Sequence, residues 1–161
     1  MTKIRSHVLG FHLSSRGFGW ALFEDRLSLV DWGVFDFRAS ENAIALSRME
    51  TLFGKHRPGV LALERHENRR HQRIRRLCLA VVKSAQLRGI AVHRYSRTEI
   101  ASSRFMKGAR TRQEVAAVVA DRLSALRQRL PKPRQIWVGE RSAMRLFCAA
   151  ACALTYLDSE P

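Results

Sequence analysis

The chain has 161 residues, 46% of them hydrophobic, which suffices for one full core, and no stretch is polar or low-complexity enough to form a tail or second domain; a single domain over 1–161 is expected. Twenty-nine Lys and Arg against fourteen Asp and Glu give a formal charge of +15, which points to an anionic polymer, nucleic acid first, as partner. No window approaches the roughly 18 consecutive apolar residues of a membrane helix, Met1 to Ser6 is not an apolar signal segment, and Cys78, Cys148 and Cys152 lack the paired spacing of disulfide frameworks or zinc sites, so a cytoplasmic protein is expected.

His7 to Phe11 is a short apolar run closed by the turn residues Ser14 to Gly17, and reads as a buried strand. Phe18 to Phe23 and Leu27 to Phe37 are rich in aromatic and β-branched residues and form a hairpin across Glu24-Asp25-Arg26. Ser40 caps an amphipathic helix carrying Ile44, Leu46, Met49, Leu52 and Phe53, with Gly54 as its stop. Gly59 to Leu63 is the next strand, ending at Glu64. A helical stripe from Asn68 to Arg88 uses Ile74, Leu77, Cys78, Val81, Val82 and Ala85 and stops at Gly89; Ile90 to Tyr95 is a further strand.

Ser102 to Arg112, with Gly108 and polar flanks, reads as a mobile loop. Thr111 with Glu114 three positions on signals a capped helix whose buried side is Val115, Val118, Val119, Leu123 and Leu126. Pro131 and Pro133 break the chain, and a last helix runs from about Arg141 to Leu157 with Met144, Phe147, Ala151 and Leu154 toward the core. The order β-β-β-α-β-α-β-α-α implies an α/β fold: a mixed five-stranded sheet, three antiparallel strands and then parallel ones, with helices on both faces.

That order, with G-F-H-L-S-S-R-G-F-G-W at Gly10 to Trp20, L-A-L-E at Leu61 to Glu64 and S-A-M-R-L-F-C-A-A-A-C-A-L-T-Y in the final helix, resembles the RuvC-like Holliday junction resolvases of the RNase H-like superfamily. The resemblance covers nearly the whole chain. It implies an RNase H-like fold in which carboxylates from the first strand, the fourth strand and the last helix bind two divalent ions, typically Mg²⁺, for phosphodiester hydrolysis.

The matching positions depart from that pattern. The first-strand Asp falls on His12, and the final-helix acids fall on Cys148 and, one turn earlier, Arg145. Glu64 remains, with Glu140 as a possible substitute catalytic acid. No metal or other cofactor is therefore expected: Mg²⁺ or Mn²⁺ would enter only in an active enzyme, held at most by Glu64 with His12. A Glu64 partly buried without metal needs a cationic or hydrogen-bonding partner, which Arg145 or His12 can supply. Plainer readings stay open: His12 as a locally bonded strand-end histidine, Cys148 and Cys152 as small core residues, Glu64 as a relic, or a soft-metal set of His12, Cys148 and Glu64.

Directly after Glu64, Arg65, Arg69, Arg70, Arg73, Arg75 and Arg76 crowd a helix N-terminus, where cations oppose the macrodipole and repel one another unless an anion neutralises them. His66 and His71 add charge at mildly acidic pH. A second basic group, Arg94, Arg97, Arg104, Lys107, Arg110 and Arg112, surrounds the Ser102-to-Arg112 segment, and Arg104, Lys107, Arg110 and Arg112 of it are grouped with the first run. These residues are the expected nucleic-acid contacts, to backbone rather than bases, with DNA ahead of RNA. Three functions compete: a nucleic-acid-binding module without hydrolysis, a slow metal-dependent endonuclease, and a regulatory protein that docks an acidic partner. The resemblance also implies a homodimer, because a four-way junction has two-fold symmetry.

Overall fold

The computed structural model describes residues 7–25, 28–66, 71–106, 108–130 and 142–159. Arg69, Arg70, Lys107, Glu140 and Arg141 lie outside the described residues. The strands are β1 (Val8–Ser14), β2 (Gly17–Phe23), β3 (Leu29–Asp36), β4 (Val60–Glu64) and β5 (Ala91–Tyr95), and the helices are α1 (Asn42–His56), α2 (Gln72–Leu87), α3 (Arg97–Ser102), α4 (Arg112–Arg122) and α5 (Ser142–Ser159). The sheet order is β3-β2-β1-β4-β5, antiparallel across β3-β2-β1 and parallel across β1-β4-β5, which is the mixed five-stranded sheet expected from the element order.

Side chains alternate across a strand, so parity in β1 sorts residues between two cores. Leu9, Phe11 and Leu13 join Leu61 and Leu63 of β4 in a core closed by Met49 and Phe53 of α1 and Ile74, Leu77 and Val81 of α2. Val8 joins Val60 and Ala62 in the opposite core, closed by α3, α4 and α5. Every residue of α5 from Met144 to Thr155 is buried, as befits a helix packed on one side by the sheet and on the other by α4. Its small residues let it approach closely: a Cβ on Gly10 of β1 would overlap the Ala149 carbonyl and crowd the Ala153 methyl.

Several boundaries differ from expectation for local reasons. α1 runs through Gly54 and ends where Arg57 takes a left-handed conformation (φ 43°), its N–H bonding to the Phe53 carbonyl at 2.9 Å, with Pro58 barring continuation. On α4 the buried face is Ala116, Val119 and Ala120, while Val115 and Val118 are half-buried, because small residues suit contact with α5.

The segment that reads as a mobile loop is anchored instead. Ser96 Oγ caps α3 by accepting the Glu99 N–H at 3.1 Å, and Phe105, Met106 and Ala109 enter the core. Among the described residues no helix is long and apolar enough to cross a membrane. Because nothing behind Gly10 can yield except the α5 backbone, Gly10→Ala should cost about 1–3 kcal/mol, measured as a lower urea midpoint at unchanged slope.

Candidate functional site

Parallel pairing of β1 with β4 sets Gly10 beside Ala62 and Phe11 beside Leu63, so the next residues on each strand, His12 and Glu64, meet at the C-terminal ends. Both have the parity of Gly10 and Ala62 and therefore face α5. His12 is 1% exposed and Glu64 8%. His12 Nδ1 stands 3.3 Å from Glu64 Oε2, a bent contact, longer than a tight charge-assisted bond.

The second partner of His12 comes from α4. Arg112, the first residue of that helix, brings Nη1 to 3.0 Å from His12 Nε2 and 3.8 Å from Cys148 Sγ. A guanidinium can only donate, so Nε2 accepts and the proton of a neutral imidazole sits on Nδ1, toward Glu64. The order is carboxylate, imidazole, guanidinium. Burial acts most strongly on Glu64 and pushes its carboxyl up, but the hydrogen-bond contact with His12 and the positive charge around it, Arg112 included, outweigh it, and the carboxyl lies below its ordinary range.

His66, half-buried just after β4, has its ring centroid 6.2 Å from that of His12. Burial first, then His12 and Arg112, depress it to about 4 against the pull of Glu64. His66 is thus neutral at mildly acidic pH, contrary to the expectation that it would add charge there. Cys78, Cys148 and Cys152 are buried free thiols; burial raises Cys78 to about 11 and Cys152 well above the ordinary thiol value.

Arg145 does not reach Glu64. Its Nη2 donates to Asp36 Oδ1 on β3 at 2.5 Å, and its guanidinium lies over Gly17, where the missing side chain leaves a path across β2. Of the two partners expected for Glu64, the structure therefore brings His12 and turns Arg145 away. Arg112, expected on the outer basic surface, is turned inward instead.

The described arginines of the basic runs divide by what they touch. Arg73 is committed internally, donating to Asn42 Oδ1 at 2.7 Å and to the Ser15 carbonyl at 2.8 Å. Arg75 and Arg76 on the first turns of α2 are exposed, and Arg65 lies 3.5 Å from Glu99. Arg97, of the second basic group, reaches the site itself: its Nε lies 4.0 Å from Glu64 Oε1 with its side chain 61% exposed. Arg104 and Arg110 are exposed. Glu64, Arg97, Arg110, Thr111, Arg112 and Cys148 line a small pocket of about 40 Å³. A wider cleft of about 870 Å³ opens at the same sheet end, between Tyr95, Arg104, Phe105, Arg122 and Asp158.

A pair of divalent ions does not fit this donor set. One carboxylate and one imidazole converge, the imidazole lone pair already accepts from Arg112, and the nearby sulfur is a thiol. Among the described residues no group of three or more His, Cys, Asp or Glu side chains is placed to hold a metal.

No protein-family model and no curated protein sequence matches the chain. Solved structures do. Thermus thermophilus RuvC superposes with a TM-score of 0.69 at 20% identity over 94% of this chain and 93% of that one. The same organism's RuvC in complex with Holliday junction substrate gives 0.68 at 19%, over 94% and 92%. The yeast mitochondrial Holliday junction resolvase Ydc2 gives 0.62 at 18%, over 98% and 82%. The fold is RuvC-like.

The depressed His66 and Glu64 both favour the folded chain less as pH falls. His66 releases its proton on folding, so its contribution is intact above about 6.5 and is lost as pH falls toward about 4. Glu64 adds a loss as pH falls from 4.5 through its lower folded value. A His66→Gln variant should therefore gain on the native chain in melting temperature as pH falls from 6.5 to 4. A temperature difference independent of pH would contradict the burial of His66.

Proposed function

We propose that the chain is a nucleic-acid-binding protein that grips the backbone of DNA, branched DNA foremost, and does not hydrolyse it. One observation carries this reading: the strand ends that would host paired carboxylates hold Glu64 and His12, with Arg112 of α4 against the imidazole and exposed Arg97 and Arg110 at the pocket mouth. Two-metal hydrolysis requires several hard oxygen ligands around both ions, and one buried carboxylate tied to an imidazole cannot supply them.

What the surface offers is positive charge. The chain carries +15, and exposed Arg75 and Arg76 on one side of the sheet and Arg97, Arg104 and Arg110 on the other flank the same strand ends. Arginine forks suit phosphate oxygens. The likeness to RuvC in complex with Holliday junction substrate supports DNA, and a branched ligand, as the first to test. A second copy of this chain is the natural partner on a two-fold symmetric junction.

Fluorescence anisotropy with a labelled four-way junction, a matched duplex and an RNA duplex, at graded salt, tests this. The junction should bind tightest, with log affinity falling linearly in log salt. Arg104→Ala with Arg110→Ala should weaken all ligands and reduce the slope by about 0.9 for each phosphate that the two arginines neutralise. Glu64→Gln should bind like the native chain, and neither should yield cleavage products with Mg²⁺ or Mn²⁺. Glu64-dependent cleavage would make the chain a nuclease, and absence of binding at low salt would favour an acidic protein partner.

A further inference from the structure

We propose that Arg112 is a built-in counter-cation: a guanidinium carried by the chain itself fixes His12 in one tautomer, supplies the positive charge that buried Glu64 requires, and keeps divalent metal ions out of the centre. The assignment rests on the geometry of these side chains and not on what the basic surface binds, so it stands or falls independently of nucleic-acid binding.

Of the two contacts to His12, the one from Arg112 is shorter, 3.0 Å at Nε2 against a bent 3.3 Å from Glu64 at Nδ1. Arg112 is therefore the stronger restraint on the ring. A metal would need the Nε2 lone pair, which already receives an N–H. The same Nη1 lies 3.8 Å from Cys148 Sγ, so the sulfur beside the imidazole is covered by the same cation. Arg97, 4.0 Å from Glu64 Oε1, adds positive charge on the remaining side of the carboxylate. An incoming divalent ion would meet two guanidinium groups and one carboxylate.

The cation is also held in place at some cost. The first residue of a helix is a poor position for a positive side chain, since the macrodipole is positive there. The helix start is nevertheless secured: Thr111 Oγ1 accepts the Glu114 N–H at 3.1 Å and Glu114 Oε2 accepts the Arg110 N–H at 2.7 Å. Upstream, Phe105, Met106 and Ala109 anchor the preceding segment in the core. An unfavourable position occupied by an arginine, capped and anchored so that it points at a buried histidine and carboxylate, is what a permanent internal counter-ion requires.

The 161-residue chain, labelled with ¹⁵N, tests this directly. Long-range ¹H–¹⁵N correlations should show His12 as the Nδ1–H tautomer at neutral pH, and added Mn²⁺ should leave the His12 signals unbroadened. Arg112→Gln should mix the tautomers. His12→Asp, which places a second carboxylate beside Glu64, should bind Mn²⁺ at least about tenfold more tightly when combined with Arg112→Gln than alone, an effect worth about one pKa unit of like-charge repulsion. An Nε2–H tautomer in the native chain, Mn²⁺ broadening of His12 that Glu64→Gln abolishes, or equal Mn²⁺ affinity in the single and double variants would overturn the assignment. Should the variants fail to fold, the two measurements on the native chain decide alone.

Discussion

A carboxylate buried at the end of a strand has to be neutralised from within, and much of this structure can be understood from that requirement at Glu64. Water cannot solvate it at 8% exposure, so a proton donor and a cation must stand close by. The parallel register of β1 on β4 delivers the donor, because strand parity sends His12 and Glu64 to the same face. The cap of α4 delivers the cation. Both depend in turn on α5, whose close packing over Gly10 closes one side of the space in which the three side chains meet.

Elements set by strong local patterns are readable in the chain itself. The aromatic hairpin of β2 and β3, the periodic stripe of α2 and the Thr111–Glu114 cap of α4 all follow from residue types at fixed spacing, whereas the meeting of His12 and Glu64 is implied by the resemblance to RuvC-like resolvases, which sets the first and fourth strands at one site. Arg112 cannot be paired with them in this way. Its direction depends on how the segment from Ser96 to Arg110 folds, and polar flanks around Gly108 make that segment resemble a mobile loop although Ser96 and Glu99 repeat the capping spacing seen at Thr111 and Glu114. Phe105 and Met106, apolar residues among arginines, are the further sign that the segment returns to the core.

Arg145 shows the opposite difficulty. Helical spacing correctly puts it near Cys148, yet a long side chain on a helix can reach either way. The open surface of Gly17 and the charge of Asp36 on β3 settle its direction, and neither is visible from α5 alone. The charge count is informative in sum but not in detail: Arg73 and Arg112 belong to the +15, yet one ties α2 to the start of α1 and to the turn after β1, while the other faces His12. Only the exposed remainder is available to a ligand.

The complete burial of α5 has a consequence for the order in which the molecule is made. β1 and β2 leave the ribosome before the helices, and α1 and α2 follow soon enough to cover one side of the sheet. The other side waits for α5, the last of the described elements, before Val8, Ala21 and Phe23 are shielded from water. Pairings so distant in sequence close slowly. During synthesis the nascent protein passes through a half-covered stage, apolar on one flank and basic around its edge, and that stage, rather than the finished fold, is when it has most need of a chaperone.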